Sequence, residues 1–481
     1  MKFSILIGCF LIAIGLSNCQ KGESNEEVGM EEQEQVVDSA TIRSAAIFAQ
    51  HCSSCHGQQM EAFADRKWLH GKELDSIKVS ITEGYAEAGM PAWSALLDSQ
   101  QIGELAQYIR TGIENVERYG FTEETLDSDT FELEDITVHL DTVFSGIKSP
   151  WHMNWLPNGD MLVAAKEGEL HRVGQDGQSV QITGLPVIKS KGQGGLFEIQ
   201  LHPDFEANGK VYLVYTGLKV TDGDSLGTTV VSQFDFADDK LSNEKIFFEA
   251  RPYTKRNHHF GGRIVIKDNF LFVTVGDRGD RDVNPQDLSL AGGKIHRFNL
   301  DGSIPEDNPF YNQADAIKSI WSYGHRNPQG LTLRPGTDEL WSHEHGPRGG
   351  DEINIVKRGL NYGWPVVSYG INYDATIFTS ELEREGMESP VLYWVPSIAP
   401  CGMDWVASDK YGNWKGNLLV GSLRFKYLDR CEIENGKVVK EENILKGIGR
   451  LRNVEQGPDG YIYVSVENPG YVFRLMPIPS M

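Results

Sequence analysis

The sequence predicts a mainly β protein, a six-bladed β-propeller preceded by a small all-α domain. Three observations lead there. Between about residues 40 and 118, apolar residues recur at helical spacing. Downstream, short apolar runs of strand type recur, each announced by a turn. Glycine is abundant, at 51 of 481 residues, which favours a turn-rich, strand-rich chain over a helical bundle. So long a chain exceeds one ordinary core, and more than one domain is expected.

The N-terminus opens with Lys2 and an apolar run from Phe3 to Leu16, too short to span a bilayer comfortably and of the type that directs secretion. Leu16-Ser17-Asn18-Cys19 resembles the lipobox of bacterial lipoproteins, which implies cleavage after residue 18 and acylation of Cys19. The alternative is an ordinary signal peptide with a coincidental cysteine. Residues 1–18 are thus expected to be a signal. The mature protein is expected in the periplasm or cell envelope, lipid-anchored to the membrane. Residues 19–39, rich in Glu and Gln, read as an acidic solvated tether. Net charge is −23, which argues against a nucleic-acid partner, whose phosphates need a basic surface.

In the helical segment 40–118, Ile102, Leu105, Ala106 and Ile109 share one face of a helix that begins near Asp98, with Gly112 near its expected stop. The same segment carries Cys52-Ser-Ser-Cys55-His56. Thioether bonds to two haem vinyl groups need thiols three residues apart, and the next residue then offers its imidazole to the iron. Redox C-x-x-C chemistry needs no following His, and zinc needs more ligands. Met90, in Gly89-Met90-Pro91, is the candidate sixth ligand; Met60 lies too close to His56 to reach the opposite haem face. The segment resembles a class I cytochrome c, which implies covalent haem c and electron transfer. Cys401 and Cys431 remain, open to a disulfide or to two buried thiols.

A linker is expected at 119–135, and the propeller at 136–481. Six units support it: Pro157-NGD-MLVAA, Gly209-KVYLVYT, Lys267-DN-FLFVTVGD, Pro335-GTD-ELWSHE, Gly416-NLLVGSL and Pro458-DG-YIYVSVE. Their spacing exceeds that of a WD repeat, so long loops leave the blades and can build a site at one mouth. Among those loops, Asn257-His258-His259-Phe260-Gly261-Gly262 puts a histidine pair before a strand, where His259 is a plausible base. Gly346, Pro347, Asp351, Glu352 and Tyr362 offer the oxygens that a hard cation such as calcium prefers. His343 and His345 lack an evident third zinc ligand. Arg326 offers a fork for a carboxylate, and Arg424, Arg450 and Arg452 near strand ends, in so acidic a chain, suggest an acidic ligand in the channel; a solvated face is the alternative.

With Gly192-Gln193-Gly194-Gly195-Leu196 and Leu201-His202-Pro203-Asp204-Phe205, these segments resemble the soluble glucose/sorbosone dehydrogenase family over about 140–477. Its members are quinoproteins that use pyrroloquinoline quinone (PQQ) on a six-bladed propeller. The resemblance implies that His259 is the catalytic base and that Gln193 lies beside the reacting centre. It also implies that Arg326 and Asn327 contact the quinone oxygens and carboxylates, and that Arg450 and Arg452 clamp PQQ. Arg424 stands where the family has a PQQ-binding lysine. Gly346 and Pro347 match carbonyl ligands of the calcium that also binds PQQ; Glu352 and Tyr362 match a second, structural calcium site. Two further departures, His258 beside the base and His345 in place of Gln, put glucose itself in doubt.

The implied activity is oxidation of the anomeric hydroxyl of an aldose sugar to a lactone. Electrons would pass to the fused haem and on to an external acceptor (a cytochrome, a quinone or an oxidase). The rivals are a calcium-dependent propeller lactonase or hydrolase, and a non-catalytic binding propeller with an appended cytochrome.

Overall fold

The computed structural model of the chain describes residues 39–52, 70–71, 73–85, 90–118, 128–373, 376–467 and 470–478. Cys19, Cys55 and His56, and the signal segment, lie outside the described residues. No helix among the described residues is long and apolar enough to cross a membrane.

Among the described residues, the N-terminal unit contains the helices α1 (Ser39–His51), α2 (Leu74–Glu83) and α3 (Ser99–Arg118). Asp98 starts α3 with a reciprocal cap, its carboxylate accepting from Gln101 N–H (2.8 Å) while Gln101 Oε1 accepts from Asp98 N–H (3.0 Å). The expected face is the buried one: Ile102, Leu105, Ala106 and Ile109 pack with Phe48, Ile77 and Ile81. The helix does not stop at Gly112 but runs on to Arg118. One glycine costs a helix only about 1 kcal/mol against alanine, and Ile-Glu-Asn-Val-Glu-Arg continues the pattern beyond it.

The rest of the chain forms six antiparallel sheets: blade 1 (150–181), blade 2 (196–249), blade 3 (264–323), blade 4 (328–394), blade 5 (400–444) and blade 6. The first strands of the blades (Pro150–Trp155, Leu196–Leu201, Ile264–Lys267, Pro328–Leu333, Pro400–Trp405 and Arg450–Gln456) touch in succession, and the last touches the first. The ring is closed. Each of the six apolar runs found in the sequence is the second strand of its blade, such as Met161–Ala165 and Leu418–Ser422, whose residues are all buried. A second strand is flanked within its sheet and covered on both faces, so its apolar run is nearly unbroken.

Blade 6 joins distant parts of the chain. Arg450–Gln456, Ile462–Glu467 and Tyr471–Ile478 are completed by Thr137–Ser145, paired from Thr137↔Ile478 to Ser145↔Tyr471. A short outer strand, Thr130–Glu132, adds to that sheet from within the stretch expected to be linker. Cys401 and Cys431 are free and buried, on the first and third strands of blade 5 with Leu418–Ser422 between them.

Candidate active site

The turns that announce the second strands lie at one end of the ring; the segments entering the first strands lie at the other. At that second mouth the chain brings Gln193, His259, Arg326, Asn327 and Arg450 to the starts of blades 2, 3, 4 and 6. His259 has a left-handed backbone (φ 54°), uncommon for a side-chain-bearing residue and often found at functional sites. Its N–H donates to Gln193 Oε1 at 2.7 Å, which ties blade 2 to blade 3. Gly261 follows at φ +67°, where a Cβ would lie 2.6 Å from the Thr274 carbonyl oxygen. The histidine is held on a backbone that alanine could not follow.

The imidazole leans on a residue that the sequence reading did not single out. His259 Nδ1 lies 2.7 Å from Asp277 Oδ1, and Asp277 Oδ2 accepts from Trp364 Nε1 at 2.9 Å. Gly279 N–H also donates to Asp277 Oδ1, at 2.7 Å. Burial pushes the Asp277 carboxyl up, but His259, Arg326 and the Gly279 N–H more than offset it and hold it below the usual range. Burial, then Arg326, lower His259 to about 4 despite the raising effect of Asp277. At neutral pH the ring is therefore uncharged, with its proton on Nδ1 facing the carboxylate and Nε2 left basic. His258 meets it edge-on, with ring centroids 4.7 Å apart.

Arg326 is buried beside this pair. Its guanidinium donates to neutral oxygens, the His345 carbonyl at 3.0 Å and the Tyr373 hydroxyl at 3.4 Å. Asn327 Oδ1 accepts from Gly261 N–H at 3.2 Å, which locks blade 4 to the histidine loop. Across the channel, Arg450 and Arg452 share Glu467, each donating from Nε to a different carboxylate oxygen at 2.7 Å. Burial pushes Glu467 up, but the two arginines more than offset it and hold it below its ordinary range. Arg424 donates to the Ser397 carbonyl at 3.0 Å, and burial lowers it to about 10. Four guanidinium groups around one mouth, two of them sharing one carboxylate, suit a ligand with several negative charges. The residues present fit PQQ.

The loop after His345 is tight. A Cβ on Gly346 would sit 2.2 Å from the Gly350 carbonyl oxygen, so only glycine lets these carbonyls crowd together. Asp351 organises the loop, with Oδ1 accepting from Gly346 N–H (2.8 Å) and Oδ2 from Ser397 Oγ (2.6 Å) and Ala399 N–H (2.8 Å). Burial raises Asp351 to about 6. Glu352 stands opposite Glu344 in strand register and is raised by burial, then by that neighbouring carboxylate. Glu344 is engaged by His325 Nδ1 at 2.9 Å, and the Tyr362 ring stacks on His325. The Tyr362 hydroxyl is committed to Lys357 N–H and the Ile355 carbonyl. Packed carbonyls beside buried carboxylates with raised affinity for protons are the donor set that calcium takes. His343 and His345 do not form a zinc pair; their Nε2 atoms face separate carbonyls, Gly402 at 3.3 Å and Pro400 at 2.7 Å.

In the helical unit, Cys52 at the end of α1 and Met90 border the same apolar cluster, formed by Phe48, Ile77, Leu105 and their neighbours. Met90 exchanges two backbone hydrogen bonds with Tyr85, at 2.7 and 3.0 Å, which pin its backbone beside the end of α2. An apolar wall bordered by both residues fits a haem.

Residues 147–474 match the family described as glucose/sorbosone dehydrogenase, and residues 40–109 match cytochrome c oxidase, cbb3-type, subunit III. Aldose sugar dehydrogenase YliI of Escherichia coli (strain K12) is 38% identical over 351 residues, 71% of this chain and 93% of that protein. The crystal structure of the soluble aldose sugar dehydrogenase of Escherichia coli in its apo form aligns with TM-score 0.68 at 36% identity, over 71% of this chain and 100% of that one. The PQQ-bound aldose sugar dehydrogenase of Streptomyces coelicolor aligns with TM-score 0.59 at 26% identity, over 71% of this chain and 98% of that one.

Proposed function

The chain belongs to the glucose/sorbosone dehydrogenase family, and on that premise we propose that it oxidises the anomeric hydroxyl of an aldose to a lactone, dependent on PQQ and calcium, with its cytochrome domain as electron outlet. The observation that carries this reading is His259 held by Asp277 at 2.7 Å, with Arg326 beside it. When bound, PQQ and calcium supply a hydride acceptor and its polarising cation, and haem supplies a one-electron outlet.

His259 Nε2 takes the hydroxyl proton as the C1–H bond is broken. Asp277 keeps Nδ1 protonated, so the free nitrogen points the right way, and stabilises the imidazolium that forms. Gln193 fixes the histidine backbone. Arg326 places positive charge beside the reacting centre, where negative charge collects. Arg424, Arg450, Arg452 and Asn327 would hold the cofactor's carboxylates and oxygens. The carbonyls of Gly346 and Pro347, in the loop set by Asp351, would hold one calcium, and the Glu352 carboxylate and the Tyr362 carbonyl a second. Cys52, Cys55, His56 and Met90 would hold the haem. The apolar leader and Cys19 support export and lipid anchoring, with an external acceptor beyond the haem.

Reconstitution with PQQ and calcium tests the proposal. Adding aldoses should reduce the haem, read as sharpening of its visible bands. Failure across a broad panel of aldoses and alcohols overturns it, and hydrolysis of lactones without PQQ would establish the rival enzyme instead.

A further inference from the structure

Away from the mouth, the third and fourth strands of blade 5, Leu428–Glu434 and Lys437–Ile444, pair so that Cys431 stands directly opposite Glu441. Asp429 lies two residues before Cys431, on the same face of its strand. One ligand atom from each of the three side chains falls within 4.8 Å of the others. Asp429 and Cys431 are fully buried, in and beside a wall that includes Trp394, Leu418, Val420 and Tyr427. Both carboxylate oxygens of Asp429 are sealed from solvent without a hydrogen bond of ordinary geometry, and the group lies against Glu441 and the Trp394 indole. Glu441 reaches the surface and is oriented by Trp394 Nε1, which donates to its Oε1 at 2.7 Å.

We propose that Asp429, Cys431 and Glu441 form a divalent-metal site of zinc type between blades 4 and 5. A buried carboxylate so poorly satisfied, facing a thiol and a second carboxylate, is poised for a cation. The thiol selects the ion: calcium and magnesium take oxygen donors, whereas zinc takes sulfur and oxygen together. Closing to Zn–S of about 2.3 Å and Zn–O of about 2.0–2.2 Å asks the three side chains to draw inward. The thiol proton leaves to solvent as the sulfur–metal bond forms. The exposed side of Glu441 gives the ion its way in and leaves a corner for water as fourth ligand. Because Glu441 is held by Trp394 of blade 4, the ion would stiffen the contact between the two blades.

The test is to equilibrate the full-length holoprotein with zinc sulfate in calcium buffer, then measure bound zinc per chain by mass spectrometry and the Tm. Wild type should retain one more zinc than Cys431→Ser, Asp429→Asn or Glu441→Gln, and zinc should raise only the wild-type Tm. Without zinc, Asp429→Asn should melt no lower than wild type, which shows that the fold survives. Equal zinc in all four proteins overturns the site. So does the absence of zinc from wild type together with a lower Tm for Asp429→Asn, the result expected if Asp429 and Glu441 merely share a proton.

Discussion

In the proposed reaction His259 is the base, and its readiness depends on a partner 18 residues away, Asp277. Asp277→Asn should therefore lower kcat by about 10²–10⁴-fold, as loss of an oriented general base does, with the KM for sugar much less affected. Steady-state kinetics of the reconstituted enzyme decide this. The histidine's own titration is a second check. In cofactor-free protein, NMR should find His259 neutral until the pH falls to about 4, assigned by the peak lost in His259→Gln. A value near the ordinary 6.5 would contradict the burial argument. Sequence made His259 and Arg326 legible because each sits in a run of glycine, asparagine or proline that only a constrained loop needs. Asp277 closes an apolar strand run, and so does Glu467, 17 residues beyond Arg450. Glu467 faces Arg450 in the pairing of the first two strands of blade 6, and His259 and Asp277 flank the same strand pair in blade 3; that register is not written in any local pattern.

The elements behind the site were legible unevenly. Second strands stood out because both faces are buried, whereas outer strands such as Ser179–Gln181, exposed throughout, carry no apolar signature. Thr137–Ser145 is the element on which closure of the ring depends. Val138, Leu140 and Phe144 are buried there, and Val138 and Leu140 join a core shared with Leu451, Val464 and Leu475. Leu140→Ala should cost about 2–5 kcal/mol in urea unfolding, the usual range for a buried leucine. Thr142→Ala, at an exposed position beside the bulge of the same strand, should stay within about 0.5 kcal/mol. Equal effects would mean that this strand does not carry the closure.

For the whole molecule, the proposed function divides labour between the two units, with chemistry at the propeller mouth and electron exit at the helical unit. The charge of −23 then shapes the choice of acceptor. A basic soluble cytochrome should be reduced fastest at low ionic strength and more slowly as salt rises, whereas an acidic acceptor should show the opposite trend. Stopped-flow rates across a salt series measure it. The composite sixth blade also has a consequence for the protein's birth. Asp141 and Arg474, 333 residues apart, form an ion pair at 2.6 Å within it. While the chain is being synthesised, Thr137–Ser145 emerges long before the strand it will pair with, and waits as an open sheet edge. Until Tyr471–Ile478 arrives the ring cannot shut, so a chain truncated before residue 471 should leave this edge unpaired and aggregate more readily than the full chain.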